Sequence, residues 1–420
     1  MKQNAVASRP RGTEDVLPEA AGAWRRIEGI ARDLAAQYGF GEVRTPSFEH
    51  TELIHHVGES TDVVQRETYD FADRGARGLT LRPEGTAPVV RAALEGGLFA
   101  RGLPVKVYYL TMSAFRYERP EAGRLREHHQ FGAEIFGAPG PAADAELMAL
   151  MAAFLAEAGI RDARAHLNSI GCPVCRPAYR EALVAYYGAR TATLCADCQR
   201  RLAQNPLRLL DCKPDREAAL GAPHAVDHLC PACRDHLDGL CALLQVAGVP
   251  FEIDHLLVRG FDYYTRTVFE FVHGGIGSQA ALGGGGRYDG LVEALGGPAT
   301  PAAGFGLGME RLLLALRQEG RAADPDAACE LFVAGPTAAA LRLTMAARRA
   351  GLRADFDALG RSLKAQFRHA DRLGARTVAV LPEADHGVVT LRDMVAKTQR
   401  EVAADRVVDE VRQAGGLRPR

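Results

Sequence analysis

Residues 105–136 constrain the fold of this chain more than any other stretch. Two runs with strand periodicity, 105–116 and 129–136, flank a charged loop at 118–126 that contains Gly and Pro. Such a pair closes as a long antiparallel hairpin. Side chains alternate faces with period two, so Arg116 and Glu118 share one face, as do Gln130, Gly132 and Glu134 on the return strand. A half-buried sheet face is ordinarily apolar. A face carrying Arg, Glu, Gln and Glu beside Phe115 and Phe131 is therefore either a solvated surface or the floor of a polar site.

The rest of the chain gives this hairpin its setting. Residues 19–38 place Trp24, Ile27, Ile30, Ala31 and Leu34 at helical spacing and end at Gly39. Residues 42–48 read as a strand interrupted by Pro46, which confines it to a sheet edge. A hairpin at 71–81 precedes a helix over 86–99, with Thr86 as N-cap and Pro88 in its first turn. A helix follows at 142–158, then a mostly helical, Cys-bearing insertion at about 171–247. Strand character resumes at 251–258, 267–272 and 279–282, and a buried helix begins at Gly308. Residues 318–327 are poor in apolar side chains and read as a linker. Beyond it, 331–334, 353–356 and 377–381 are short strands alternating with helices. The expected architecture is α+β, an antiparallel-sheet domain at 1–322 with a helical insertion, and an α/β domain at 328–420.

Composition narrows the function. With 51 Lys+Arg against 52 Asp+Glu, the net charge of −1 leaves no whole-molecule field to hold nucleic acid, so any such surface is a local patch. No run approaches the roughly 18 apolar residues of a membrane span, and residues 1–10 lack the apolar core of a signal peptide, which points to the cytoplasm. Six of the nine cysteines fall in CxxC pairs, a spacing of metal or redox sites in a reducing compartment. Cys172/Cys175 and Cys195/Cys198 have the separation of a four-thiolate zinc site, and Cys230/Cys233 offers another pair. These thiols exceed one tetrahedral site, so the sequence leaves the metal question open.

Three further segments carry chemistry. Leu81-Arg-Pro-Glu-Gly-Thr-Ala87 puts Glu84 at the turn into a helix, placed for a cationic ligand group. Ala281-Leu-Gly-Gly-Gly-Gly-Arg-Tyr-Asp289 lets backbone approach a ligand closely, but the Lys-Ser/Thr of a P-loop is absent. Gly304-Phe-Gly-Leu-Gly-Met-Glu-Arg311 runs from strand into helix with Glu310 and Arg311 in the first turn, where an Arg complements phosphate better than it complements the positive helix end.

Phe115-Arg-Tyr-Glu118 with its charged loop and Phe131 resembles motif 2 of the class II aminoacyl-tRNA synthetases. Gly304 to Arg311 resembles motif 3, and residues 39–46 resemble motif 1. Leu257-Val-Arg-Gly-Phe-Asp-Tyr-Tyr264, Leu81 to Ala87 and the opening Arg11-Gly-Thr-Glu-Asp-Val-Leu-Pro18 resemble signatures of the histidyl-tRNA synthetase family. The resemblance spans nearly the whole chain from Arg9. It implies a homodimeric ligase that uses ATP and Mg²⁺ to activate L-histidine and passes it to tRNA(His). Arg259 and Arg116 would be the catalytic arginines. Glu84, Gly85, Thr86, Gln130, Glu134, Arg259, Tyr263 and Tyr264 would enclose histidine. Arg116, Glu118, His128 and Arg311 would hold ATP, with His128 where the family carries an aromatic, usually Phe, on adenine.

The resemblance also directs attention to RNA-facing charge. Arg119, Arg124 and Arg126 sit in the motif 2 loop, where they would meet the tRNA acceptor end. In the second domain Arg361, Lys364, Arg368, Arg372 and Arg376 recur at intervals of three and four, with Leu363, Phe367, Ala370 and Leu373 opposite. Nine basic residues against three acidic ones between Arg342 and Arg376 give a local surplus in a nearly neutral protein. Two other readings compete. One is an inactive synthetase paralogue acting as a regulatory subunit in histidine biosynthesis, which would lack the last domain and the histidine signatures. The other is a zinc-containing RNA-binding protein, which leaves Arg116 and Arg311 without a role.

Overall fold

A computed structural model describes residues 8–58, 61–274, 281–321, 329–383 and 387–414. The chain divides into two compact units, Met1–Ala322 and Ala323–Arg420.

An eight-stranded sheet organises the first unit. Its order is Gly41–Glu42, Val105–Phe115, Glu127–Phe136, Ala302–Gly308, Ala281–Arg287, Thr265–Val272, Arg164–Ser169 and Phe251–Ile253. The two outermost pairings are parallel and the rest antiparallel. On the Glu127–Phe136 strand, Phe131, Ala133 and Ile135 enter one apolar core with helices Pro18–Gln37, Pro141–Ala158, Pro231–Val246 and Met309–Gln318. The alternate residues Gln130, Gly132 and Glu134 face the other way. That second face is covered by helix Thr86–Glu95 and most of the insertion, and it carries the site.

Pro46 divides its segment between two sheets. Gly41–Glu42 caps the edge of the large sheet, while Phe48–His50 joins Tyr69–Ala72 and Gly78–Leu81 in a small one. The expected strand at 251–258 stops at Ile253, and the chain turns into a loop whose Asp254 side chain accepts the Leu256 N–H at 3.0 Å. The Arg164–Ser169 strand had no clear periodic signal, because both its faces are largely covered. The glycines after Leu282 form a central strand. At Gly304, opposite Glu134 in the register, a Cβ would overlap the Glu134 carboxyl, so the carboxyl and the bare backbone require each other. Residues 279 and 280 of the expected strand lie outside the described residues, as do 322–327 of the linker.

Arg287 and Asp144 are both fully buried and paired. Arg287 also donates to the carbonyls of Ala138 (2.9 Å) and Gly140 (2.8 Å), so the charge is compensated and the glycine strand is tied to the start of a helix.

The second unit carries a five-stranded sheet ordered Ala354–Phe356, Leu331–Ala334, Thr377–Val380, Val388–Asp393 and Gln399–Ala403. The first three strands are parallel, as the alternation with helices implies. The final antiparallel hairpin escaped the sequence reading because its last strand is polar and mostly exposed.

Candidate active site

Helix Thr86–Glu95 starts differently from expectation. Thr86 is its first residue and Gly85 precedes it, and the capping group is Glu84, whose carboxylate accepts the N–H of Thr86 (2.6 Å) and of Ala87 (2.8 Å). This frees the Thr86 hydroxyl, which donates to Glu134 at 2.9 Å. The helix stops at Glu95, and a 3₁₀ turn follows at Leu98–Arg101.

Glu134 has no exposed surface. It accepts from Thr86, from the Tyr109 hydroxyl at 3.4 Å and from the Tyr288 hydroxyl. Burial pushes its pKa up to about 8, assisted by the charge of Glu84 and opposed by the three hydroxyls. Burial thus biases the carboxyl towards its neutral form, against the three hydroxyls that favour the charged one. Glu84 is raised too, by burial, while backbone N–H groups and the Arg116 charge oppose the shift. Tyr263 and Tyr264 pack against each other at 4.7 Å, and Tyr263 meets Tyr288 edge-on at 5.7 Å. The buried half of the site is thus two carboxyls within a ring of hydroxyls.

The other half is an open cleft of about 160 Å³. Its walls include Arg116, Glu118, His128, Gln130, Arg259, Glu270 and Arg311. Arg116, Glu118 and Gln130 do share one concave wall, so the solvated-surface alternative fails, but Arg116 and Glu118 reach it from beyond the strand end at Phe115 and Glu134 lies in the buried half. Arg116 donates to the Pro83 carbonyl at 3.1 Å and lies over Phe261. Arg259 pairs with Glu270 and neighbours Tyr264. Arg311 bonds to the carbonyls of Gly123 (3.0 Å) and Ala281 (2.8 Å), while burial and the charges of Arg124 and Arg116 pull its pKa below the usual guanidinium range. Three crowded guanidiniums make a site that an anion completes. Burial and the charges of Arg116 and Arg311 lower the His128 pKa to about 3, so this ring is neutral. Its neighbour His129 is fixed elsewhere, donating its backbone N–H to the Glu310 carboxylate (3.0 Å), which its ring Nδ1 also meets at 2.7 Å.

In the motif 2 loop, Glu118 lies in a turn beyond the strand and pairs with Arg124, which reaches into the cleft. Arg126 stacks on Tyr117 at 4.3 Å, and Arg119 is exposed. The opening segment explains itself here: Gly12 has φ +88, and a Cβ would strike Arg126 and Pro120 at 2.8 Å. The Gly12 carbonyl then receives the Arg126 N–H at 2.8 Å, pinning the loop.

Three contributors escaped the sequence reading: Tyr109, Tyr288 and Glu270. Tyr109 was hidden by geometry. The register slips between Tyr109 and Met112, where Thr111 has φ 53, so simple alternation puts Tyr109 on the wrong face. Tyr288 and Glu270 had signals, one within the glycine motif and one amid the apolar run of its strand.

The basic stripe is shorter than expected. Helix Leu363–Arg372 carries Lys364, Arg368 and Arg372, all exposed, whereas Arg361 and Arg376 lie outside it. Arg361 is committed to Asp357 at 2.6 Å, and Leu363 is exposed instead of covered. The cysteines are regrouped as well: Cys172 and Cys175 meet Cys230 and Cys233, while Cys195 and Cys198 meet Cys212 and Asp215. The pairing suggested by spacing joined thiols of two different clusters.

Residues 12–312 match the family model described as histidyl-tRNA synthetase, and residues 332–414 match that of an anticodon binding domain. A histidine–tRNA ligase of Moorella thermoacetica is 51% identical, covering 97% of this chain and 98% of that protein. One from Desulforudis audaxviator is 51% identical, covering 97% and 99%. The crystal structure of the apo histidyl-tRNA synthetase of S. aureus is 36% identical with a TM-score of 0.81, covering 96% of this chain and 99% of that one. With such similarity running through both units, the chain belongs to the histidyl-tRNA synthetase family.

Proposed function

We propose that the chain is a histidine–tRNA ligase working in two steps. A carboxylate oxygen of L-histidine attacks the α-phosphorus of ATP, the bond from that phosphorus to the bridging oxygen breaks, and pyrophosphate leaves. The terminal ribose hydroxyl of tRNA(His) then attacks the carbonyl of the histidyl-adenylate, and AMP leaves. The observation that carries this reading is the junction of the two halves: an arginine-walled cleft opening beside a buried pair of carboxyls. The regulatory-subunit alternative does not explain why Arg259, Tyr263 and Tyr264 are kept, or why a second domain is present.

In this reading Arg259 and Arg116 oppose the charge that builds on the α-phosphate. The nucleophile is already a carboxylate, so this step needs no general base. Arg311 takes the γ-phosphate and His128 stacks on adenine as a neutral ring. Glu118 and Glu270, carboxylates on the cleft wall, are oxygen donors of the kind Mg²⁺ takes, and the ion would neutralise charge on the departing pyrophosphate. Glu84, beside Gly85, faces the α-ammonium with Thr86 and Gln130. Glu134 and the tyrosines receive the imidazole. A substrate lacking those polar atoms would leave buried groups unpaired, which is how such a site rejects other amino acids.

Arg119, Arg124 and Arg126 meet the acceptor end of tRNA, and Lys364, Arg368 and Arg372 meet its anticodon arm, with residues 1–322 owning the chemistry. Arg361 contributes by fixing the turn before the helix. The chain acts as a homodimer in the cytoplasm. Two features support that: one face of the small sheet leaves Phe48 and Phe71 exposed, and none of the nine cysteines is joined in a disulfide. No helix among the described residues is long and apolar enough to cross a membrane. The deciding experiment is histidine-dependent exchange of pyrophosphate into ATP, which needs no tRNA. Exchange that does not depend on histidine, or no exchange, overturns the reading.

A further inference from the structure

Away from the cleft, the insertion gathers eight ligand-type side chains into two separate groups. The Sγ atoms of Cys172, Cys175, Cys230 and Cys233 all lie within 4.8 Å of one another, and so do those of Cys195, Cys198 and Cys212 with a carboxylate oxygen of Asp215. Individual sulfur separations are 3.7 Å for Cys172 to Cys175, 3.8 Å for Cys172 to Cys230, 3.8 Å for Cys175 to Cys233 and 3.7 Å for Cys195 to Cys212. A disulfide requires about 2.05 Å. A tetrahedral ion bonded to sulfur at about 2.3 Å has ligand-to-ligand edges of about 3.8 Å. We propose that these are two sites for zinc-type divalent ions, one with four thiolates and one with three thiolates and the Asp215 carboxylate.

The backbone around each group is arranged for ligation. In both the Cys172 and Cys230 pairs the second cysteine's N–H returns to the first one's carbonyl, at 3.1 and 3.0 Å, so one tight turn aims both sulfurs to the same side. The Cys172 N–H donates to the Cys175 sulfur at 3.2 Å, a bond that favours thiolate. Gly171 has φ +72, and a Cβ there would strike that sulfur at 2.8 Å. Asp215 is oriented by the Cys195 N–H, which donates to its carboxylate at 3.0 Å. Cys175, Cys195 and Cys230 each stand directly before a helix.

Both groups are tied to the loop that bears Arg259. Arg176, next to Cys175, donates to the carbonyls of Gly171 and Tyr264, and the Arg266 N–H donates to Gly171 at 2.8 Å. Asn205, at the end of the helix that Cys195 opens, donates to the Asp262 carboxylate at 2.6 Å. The ions therefore staple the insertion to residues 257–266. This inference stands apart from the ligase reading, since metal content is measured without any substrate.

The test is metal analysis of the full chain purified from zinc-supplied cells without a chelator. About two zinc ions per chain are expected. One ion or none overturns the two-site assignment, and iron with inorganic sulfide overturns the choice of ion. Replacing Cys230→Ala with Cys233→Ala removes one equivalent, and Cys195→Ala with Cys212→Ala removes the other. Should those variants fail to fold, the native chain still decides. Blocking its thiols stepwise must release zinc into a chromogenic chelator, and cobalt substituted into it must show thiolate-to-metal absorption. Thiols that react without releasing metal overturn the proposal. Hydrogen exchange over 257–266 rises when the ions are stripped, and unchanged exchange there overturns the stapling.

Discussion

The two halves of the site share one sheet face but solve opposite electrostatic problems. In the cleft, half-buried arginines stand close together beside backbone carbonyls and the carboxylates of Glu270 and Glu118, and their crowded positive charge suits an anion. In the buried half the charge is disfavoured: burial pushes the Glu134 pKa up to about 8, and every oxygen of its carboxyl has a hydroxyl partner. The cleft is thus suited to charge that develops during reaction, and the buried half to recognising a polar side chain before reaction. Substitutions in the first should slow chemistry, and those in the second should weaken substrate binding.

The largest effect is expected at Arg259. Arg259→His should lower kcat for histidine-dependent pyrophosphate exchange on the order of 10²–10³-fold, as loss of one transition-state donor does. A wild-type exchange rate would dissolve the contrast. Next is Glu134→Gln, which preserves shape but removes the titrating group. The histidine Michaelis constant should rise roughly tenfold or more while that for ATP holds, since one mispaired buried polar group costs about 1–3 kcal/mol. Equal changes for both substrates would mean that the halves are not separate.

A smaller effect is expected in the second unit. Arg368→Glu with Arg372→Glu should raise the Michaelis constant for tRNA severalfold and flatten its salt dependence, the slope falling by about one per lost phosphate contact. Exchange without tRNA should hardly move. Unchanged tRNA kinetics would return the stripe to the wet face of an amphipathic helix.

What the sequence disclosed follows the same division. The cleft was legible because Gln130 and Arg311 sit on regular elements whose period or boundary fixes their direction, and Arg116 directly follows a strand that ends at Phe115. The buried half was less so. Tyr109 reaches Glu134 only across a register slip, and Glu84 rather than Thr86 caps its helix, a choice made by a tertiary partner, Glu134, claiming the threonine hydroxyl. The metal groups show the limit of spacing. Residues 175 and 195 are close in sequence, but the fold carries Cys230 back to Cys172 and leaves Cys195 with Cys212, and nothing local encodes that choice. In the second unit, periodicity extended the basic stripe through residues 361 and 376, although the helix covers only 363–372.

The smallest effect, and the sharpest test of the contrast, concerns stability at different pH. Glu134 has its folded-state pKa raised from 4.5 to about 8, so its contribution is complete below 4.5 and is lost as pH rises through 8. His128 has its pKa lowered from 6.5 to about 3, so the unfolded chain binds the proton first, and its contribution is complete above 6.5 and lost as pH falls. Between 4.5 and 6.5 the two slopes oppose each other, and from 6.5 to 8 that of Glu134 stands alone. His128→Phe should therefore leave the ATP Michaelis constant within about twofold, because an apolar ring replaces a neutral one on adenine. Its Tm relative to the parent should improve steadily as pH is lowered from 6.5 to 5. Glu134→Gln should show the mirror image, its Tm relative to the parent improving as pH is raised from 6.5 to 8. Parallel Tm profiles for the parent and both variants would mean that neither half holds its charge state as argued.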